Sequence, residues 1–342
     1  MAGHKCVGFC EFDKYAVMSY TMMHLATEKQ RKYIESIPAL KERQKEILKE
    51  EYRDGEWYAN DIRRVEARSL PRADCWCFGF PCQDISIAGK QLGFSGRRSS
   101  LFFAVTGLIK DLSEEDRPSM LFIENVKNLL SVNRGIDFAR LLIELDEIGY
   151  DAEWCVLNSK DFRVPQNRER VFIVGHFRGR GGREVFPIGG AGTEIDIKQL
   201  NDSKNQTYRY YSVDGVAPTL NTCQGGGHEP KIAVPVDAPR LVGGIGEINF
   251  GNQFRQGNRI YDADAIAMCL NAQPVGNTGG NSYLYKVGMR IRKLTPRECF
   301  RLQGWTDEYY ERAAMVNSDS QLYKQAGNGV TVNVIQAVAE RF

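Results

Sequence analysis

Short apolar runs alternating with helical stretches fill the first half of the chain, and this alternation most restricts how it can fold. "KCVGFC" (5–10), "CWCFGF" (75–80), "SMLFI" (119–123) and "RVFIVG" (170–175) are apolar runs of strand length. "SLFFAVTGLIKDL" (100–112) and "DFARLLIELDEIG" (137–149) between them carry apolar residues at helical spacing. Strands without a polar face need cover on both sides, so the pattern predicts an α/β domain built on a parallel sheet. In such sheets ligand-binding residues collect in the polar or turn-forming segments that follow the strands. Residues 28–54 are a charged run with Leu40, Ile47, Leu48 and Tyr52 at helical spacing after Pro38. They read as a surface helix in preference to a nucleic-acid arm.

From about residue 186 helical periodicity fades, and "IGGAGTE", "NTCQGGGHEP", "GGIGEINFGNQFRQGN" and "QPVGNTGGNS" follow. This texture predicts a loop-and-short-strand domain over 186–289, after a first domain at 1–185. "DGVAPTLN" (214–221) and "DAIAMCLN" (264–271) share Asp, Ala, Leu and Asn at a constant offset, a faint echo of a duplicated hairpin. "GGIGE" (243–247) has no strand–helix frame around it and reads as a turn, not a phosphate loop. Helical character returns in 290–342, with "LTPRECFRLQGW" (294–305) and a final helix placing Val330, Val334, Val338 and Phe342 on one face.

Composition narrows the functional classes. A hydrophobic share of 42% and a charged share of 26% suit a globular protein, and no apolar run approaches the roughly 18 residues of a membrane span. The start "MAGHKCVGFCEFD" lacks the apolar core of a secretory signal, which predicts a cytoplasmic protein with reduced thiols. The nine cysteines do not fall at zinc-site spacings, so no metal is expected. Net charge is only +2, but arginines cluster at 97–98, at 163–170, at 178–183 and at 290–292. Such clusters suit phosphates or are solvated loop residues.

Four short stretches carry chemistry. In "CWCFGFPCQDIS" (75–86), Cys75 and Cys77 lie within the strand and read as small packing residues, whereas Cys82 follows it in a Pro-Cys-Gln turn. A thiolate there is a strong nucleophile, although a cysteine at a strand end is also a common structural residue. "LFIENV" (121–126) ends a strand on Glu124, a carboxylate costly to bury unless it binds something. In "QNRERVFIVG" (166–175) an extended backbone sends Gln166, Arg168 and Arg170 to one face, suited to an anionic or planar hydrogen-bonding ligand. "QAGNGV" (325–330) reads as a tight turn opening the last helix.

Taken in order, Pro-Cys-Gln, Glu-Asn-Val, Gln-x-Arg-x-Arg, the loop-rich region, "RKLTPRECFRLQGW" and "QAGNGV" resemble the C5-cytosine methyltransferases of DNA over nearly the whole chain. The resemblance implies a Rossmann-like, S-adenosylmethionine-dependent methyltransferase fold, with the loop-rich domain as a target recognition domain. It implies that Cys82 adds to C6 of a flipped-out cytosine in double-stranded DNA. Glu124 would hold N3 and the exocyclic amine, Arg170 would lie against O2, and Arg168 would help position the backbone and Cys82. For S-adenosylmethionine it implies Glu11 on the ribose hydroxyls, Phe12 stacked on adenine, and Asp61 and Ile62 at the adenine edge. Pro81, Leu101 and Asn328 complete the implied cofactor contacts, and Thr219 and Leu220 match the recognition segment that meets DNA. A paired restriction endonuclease is a further implied partner. The family's first strand and its Phe-x-Gly-x-Gly loop have no match here, so the resemblance predicts a fold lacking both, incomplete at the N-terminus. The expectation is then a methyltransferase completed by a separate N-terminal fragment or an earlier start, or a non-catalytic DNA-binding relative. Gly329 stands where the family usually has serine.

Overall fold

A computed structural model describes residues 2–80, 101–180, 182–188, 197–212, 215–220, 231–235, 241–244, 259–261 and 289–342. The chain divides into two compact units. The first comprises Met1–Glu194, Pro218–Gln224 and Pro296–Phe342, and the second Ile195–Ala217 and Gly225–Thr295.

Among the described residues the first unit holds six strands: β1 (Gly8–Cys10), β2 (Trp57–Ala59), β3 (Cys75–Gly79), β4 (Met120–Val126), β5 (Tyr150–Asn158) and β6 (Glu169–Phe177). Four of them form a sheet in the order β3-β4-β6-β5. β3 runs parallel to β4, but β6 is antiparallel to both β4 and β5. The expected all-parallel sheet is therefore a mixed one. The reason lies in β5, "YDAEWCVLN", whose charged residues disguise a nine-residue edge strand. A short connection through 159–168 returns the chain as β6, and a short connection favours antiparallel neighbours. β1 and β2 pair in parallel as a separate two-stranded sheet. Among the described residues no ladder joins β1 to β3, and each has an edge without a strand partner.

Side-chain alternation along β4 divides the core. Leu121 and Ile123 face helices α4 (Leu101–Asp111) and α5 (Ile136–Glu147), where Phe102, Ile109, Leu141 and Leu145 are fully buried. Phe122 faces the opposite side with Phe172 and Val174 of β6, under Val334 and Val338 of the last helix, α9 (Val332–Ala339). Val330 and Phe342 pack against this second cluster, so the expected apolar face of the last helix is present.

The charged run 28–54 is interrupted at Pro38, giving α2 (Glu28–Ser36) and α3 (Leu40–Ile47) after the opening helix α1 (Lys14–Tyr20). Proline cannot donate the helical hydrogen bond, and a Thr27–Gln30 capping box starts α2 cleanly. Ile34, Ile47 and Tyr52 are buried against Met18, Met22 and Val316, so one stripe of the run is core. Toward the end of the chain lie α6 (Pro296–Leu302), α7 (Asp307–Ala314) and α8 (Asp319–Asn328). "QAGNGV" is not wholly a turn opening the last helix: Gln325–Asn328 is the last turn of α8, and Thr331 precedes α9.

In the second unit β7 (Tyr211–Ser212), β8 (Lys231–Pro235) and β11 (Met289–Lys293) form one sheet, in the order β11-β8-β7. β9 (Leu241–Gly244) and β10 (Arg259–Tyr261) form an antiparallel pair. Most of the suspected repeat at 214–221 and 264–271 lies outside the described residues.

Candidate active site

The C-terminal end of β4 and the start of β6 bring the charged residues together. Glu124 and Arg170 lie on the α9 side of the sheet, and Arg170 Nε meets Glu124 Oε1 at 3.0 Å. Gly79 of β3 stands directly opposite Glu124 in the ladder. A Cβ at that glycine would approach the Glu124 carbonyl oxygen to 3.2 Å and Oε2 to 3.4 Å, so the missing side chain leaves the carboxylate its room. Burial pushes the Glu124 carboxyl above its ordinary range, and the Arg170 and Arg168 charges offset only part of that rise. Asn125 is buried and its amide donates to the Phe80 carbonyl at 3.4 Å. It thereby ties the end of β3 to β4 just before "PCQ". Cys82 and Pro81 themselves lie outside the described residues.

Arg168 has a different task from its neighbour Arg170. Its side chain is buried, and its guanidinium donates to three carbonyls: Leu220 at 3.1 Å, Gly327 at 3.0 Å and Gly329 at 2.9 Å. One planar fork thus joins the 218–220 segment to the end of α8. Gln166, fully buried, donates to the Leu302 carbonyl at 2.8 Å. Thr219 donates its hydroxyl to the Asn167 carbonyl at 2.6 Å, and the Leu220 side chain is buried. Both belong to the first unit. Sequence reading quoted "RLQGW" without assigning Gln303, which is fully buried and accepts from Thr331 Oγ1 at 2.9 Å while its amide donates to the Ala326 carbonyl. Local pattern did not mark it, because Gln303 stands in the turn between Leu302, the last residue of α6, and Gly304.

A second group gathers at the C-terminal ends of β1 and β2. The Glu11 backbone N–H donates to the Ala59 carbonyl at 3.0 Å, bringing Glu11 and Phe12 beside Asp61 and Ile62. The Phe12 ring is 76% exposed, a large apolar surface left open next to two carboxylates. Burial raises the Glu11 carboxyl above its ordinary range, even though it accepts the Asp13 N–H at 2.7 Å. Asp61 behaves oppositely: bidentate bonds from Arg63 hold it down to about 2. Between them the Cys10 thiol is pushed up to about 11, first by burial and then by the Glu11 and Asp61 charges. Lys324 meets Asp13 at 2.6 Å, which anchors α8 one turn before the exposed Asn328. Leu101 opens α4, which packs against the 62–64 turn.

The donor set fits an adenosyl group: carboxylates for hydroxyls and an amine, beside an open aromatic face. No group of three or more His, Cys, Asp or Glu side chains arranged to hold a metal occurs among the described residues. The arginines at 178–183 are engaged at the other end of the sheet. Arg178 pairs with Asp146 and Asp151, Arg180 caps the Arg117 and Glu114 carbonyls, and Arg183 donates to the Arg341 carbonyl. A cleft of about 310 Å³ there is lined by Asp151, Glu153, His176 and Arg178 and by no residue of the two groups described above. No helix among the described residues is long and apolar enough to cross a membrane.

A family model described as C-5 cytosine-specific DNA methylase matches residues 1–342. The chain is 34% identical over 291 residues to the type II methyltransferase M.HhaI of Haemophilus parahaemolyticus, covering 83% of this chain and 80% of that protein. It is 27% identical over 379 residues to the type II methyltransferase M2.ScrFI of Lactococcus lactis subsp. cremoris, covering 98% and 91%. Among solved structures, the S. pombe methyltransferase Dnmt2 superimposes with a TM-score of 0.57 at 13% identity, over 98% of this chain and 90% of that one. The Entamoeba histolytica methyltransferase EhMeth gives 0.56 at 14% identity, over 99% and 98%. These structural likenesses show an α/β fold with a mixed sheet.

Proposed function

The chain belongs to the C-5 cytosine-specific DNA methylase family, and from that premise we propose that it methylates C5 of a flipped-out cytosine in a specific double-stranded DNA sequence. The methyl group comes from S-adenosylmethionine, and the reaction runs through a covalent bond between Cys82 and cytosine C6. C5 of cytosine is too weak a nucleophile to take an alkyl group directly. Attack by the Cys82 sulfur on C6 breaks the C5=C6 double bond and shifts its electrons to give an enamine across C4 and C5, which is nucleophilic at C5. Glu124 shares a proton with N3 and accepts from the exocyclic amine, and Arg170 faces O2. Loss of the C5 proton then expels the Cys82 sulfur and restores the ring. The base must leave the stack because its C5–C6 edge is closed to side chains inside a duplex.

S-adenosylmethionine supplies an electrophilic methyl group when bound. Glu11 would hold its ribose hydroxyls, Phe12 its adenine face, and Asp61 and Ile62 the adenine edge, with Pro81, Leu101 and Asn328 around them. Thr219 and Leu220 would hold the recognition segment against the DNA. The type II relatives support a restriction endonuclease of the same site as a partner.

The observation that supports this reading best is the Glu124–Arg170 pair, half-buried at the end of β4, where Asn125 bonds the carbonyl of Phe80, the residue before Pro81. The test is a random-sequence duplex library containing 5-fluorocytosine, incubated with the chain and S-adenosylmethionine. A covalent complex stable to denaturation is expected, and Cys82→Ser should abolish it. Trapping that persists in Cys82→Ser removes Cys82 from its role.

A second reading, a split methyltransferase or a non-catalytic DNA-binding relative, is favoured by the unpaired edges of β1 and β3 among the described residues. Under both the chain alone binds S-adenosylmethionine weakly; a polypeptide bearing a strand and a Phe-x-Gly-x-Gly loop restores binding and trapping to a split methyltransferase and restores no trapping to a non-catalytic relative. Micromolar binding by the chain alone, measured by calorimetry, overturns it.

A further inference from the structure

The proposed chemistry assigns no role to the other two sulfurs of "CWCFGFPC". Cys75 and Cys77 are two residues apart on β3 and project from the same side of the strand. Their sulfurs are 3.8 Å apart. Cys77 is exposed, against the expectation that it packs, while Cys75 is half-buried at the border of the cluster beneath α9. A direct disulfide is poorly served here. It needs Cα atoms within about 6.8 Å, and residues i and i+2 of a strand stand about 6.6–6.8 Å apart with Cβ vectors parallel, not convergent. One bridging atom suits the pair far better. Two sulfurs each ~2.3 Å from one pyramidal atom, with an angle of about 95° between the bonds, lie about 3.4 Å apart, which a small side-chain rotation reaches from the observed 3.8 Å.

We propose that Cys75 and Cys77 form a chelating dithiol for a soft, thiophilic acceptor satisfied by two sulfurs, with trivalent arsenicals as its chemical class. Among the described residues no third candidate metal ligand joins the two sulfurs. An organoarsenic(III) brings its own carbon substituent and takes only the two thiolates. The exchange balances: R–As(OH)₂ and two S–H groups give R–As(S)₂ and two waters. Two As–O bonds break, two As–S bonds form, and arsenic stays trivalent. The contact with the Cys75 sulfur lowers the Cys77 pKa, and Cys77 is the exposed one of the two, so it is the first to attack. Cys75 then closes the ring.

The probe is phenylarsine oxide, added to the full chain carrying Cys82→Ser so that the proposed nucleophile is silent. One phenylarsenic per chain is expected by intact mass, retained in excess monothiol and released by dithiothreitol. Peptide mapping should find Cys75 and Cys77 protected from iodoacetamide while exposed Cys6 is alkylated. Adding Cys77→Ser should cut retention at least about tenfold, because the second thiol then no longer acts at high effective concentration. An adduct on a different pair of cysteines overturns the proposal, as does retention unchanged by Cys77→Ser. Should that variant fail to fold, the protection pattern with Cys77 intact decides alone.

Discussion

Arg168 offers the most quantitative test of how the active-site end of the first unit is held together. Its guanidinium joins three carbonyls on two segments, Leu220 on one and Gly327 and Gly329 on the other, and the side chain is buried. Hydrogen bonds from a charged donor contribute about 1.5–3 kcal/mol each, and each orphaned buried carbonyl costs about 1–3 kcal/mol. Entering water recovers part of the loss, and the three bonds are not additive, so Arg168→Ala should cost about 4 kcal/mol. Arg168→Lys should cost about 2 kcal/mol, because a point ammonium cannot span both segments as the planar fork does. A whole domain is stable by only about 5–15 kcal/mol, so the alanine variant should be marginal. With a urea slope of about 3 kcal/mol/M, its midpoint should fall by about 1.3 M. The lysine variant should fall by about half as much. Hydrogen exchange should quicken at 218–220 and 327–329 before it does in β4 or β6. An alanine variant whose midpoint shifts by less than ~0.3 M, under about 1 kcal/mol at that slope, would refute the reasoning.

Four further outcomes are expected. Gly304 has φ +81°, and a Cβ there lands on the Asn333 side chain that holds the Phe162 carbonyl. Gly304→Ala should therefore cost about 2 kcal/mol or more, read as a lower melting temperature. Glu124→Gln keeps an acceptor for Arg170, so stability should fall by no more than about 2 kcal/mol while methyl transfer drops at least ~100-fold in a tritium-transfer assay. Gly79→Ala should slow transfer with a smaller change in melting temperature, because its Cβ crowds Glu124. Burial raises the Glu11 carboxyl, so Glu11 should protonate above the usual glutamate range and S-adenosylmethionine affinity should fall as pH drops through it. The stability term has the opposite slope. A folded pKa above the unfolded one makes Glu11 most stabilising when protonated, and that contribution is lost as pH rises from 4.5 through the folded value.

The apolar strands and the helices that cover them were legible because burial on both faces leaves an uninterrupted apolar run. "SMLFI" and "RVFIVG" are of this kind, and each lies in the sheet centre. β5 escaped notice because an edge strand carries Asp151 and Glu153 among its apolar residues, and with it escaped the antiparallel direction of β6. Glu124, Arg168 and Arg170 were legible as charges at apolar strand ends. Local spacing could not say that Arg170 meets a carboxylate while Arg168 meets three carbonyls from residues 52 to 161 positions away. Cys77 went the other way. An apolar strand reads as buried, yet β3 keeps an edge without a strand partner among the described residues, and there a cysteine is exposed.

The contrast between the two arginines also explains why Glu124 can be both anchored and reactive. A carboxylate surrounded by two guanidiniums is ordinarily held ionised, as Asp61 is by Arg63. At Glu124 burial wins over both arginine charges, and the carboxyl stays biased toward protonation. The hydrogen bonds account for part of this. Arg168 directs its guanidinium to carbonyls of residues 220, 327 and 329, so its charge reaches Glu124 only at longer range, and Arg170 alone makes the 3.0 Å contact. Gly79 supplies the space that keeps Oε2 open on the β3 side. Under the proposed chemistry Glu124 lends a proton to a ring nitrogen and recovers it, and a carboxyl raised by burial, with one oxygen oriented by a cation, suits that exchange.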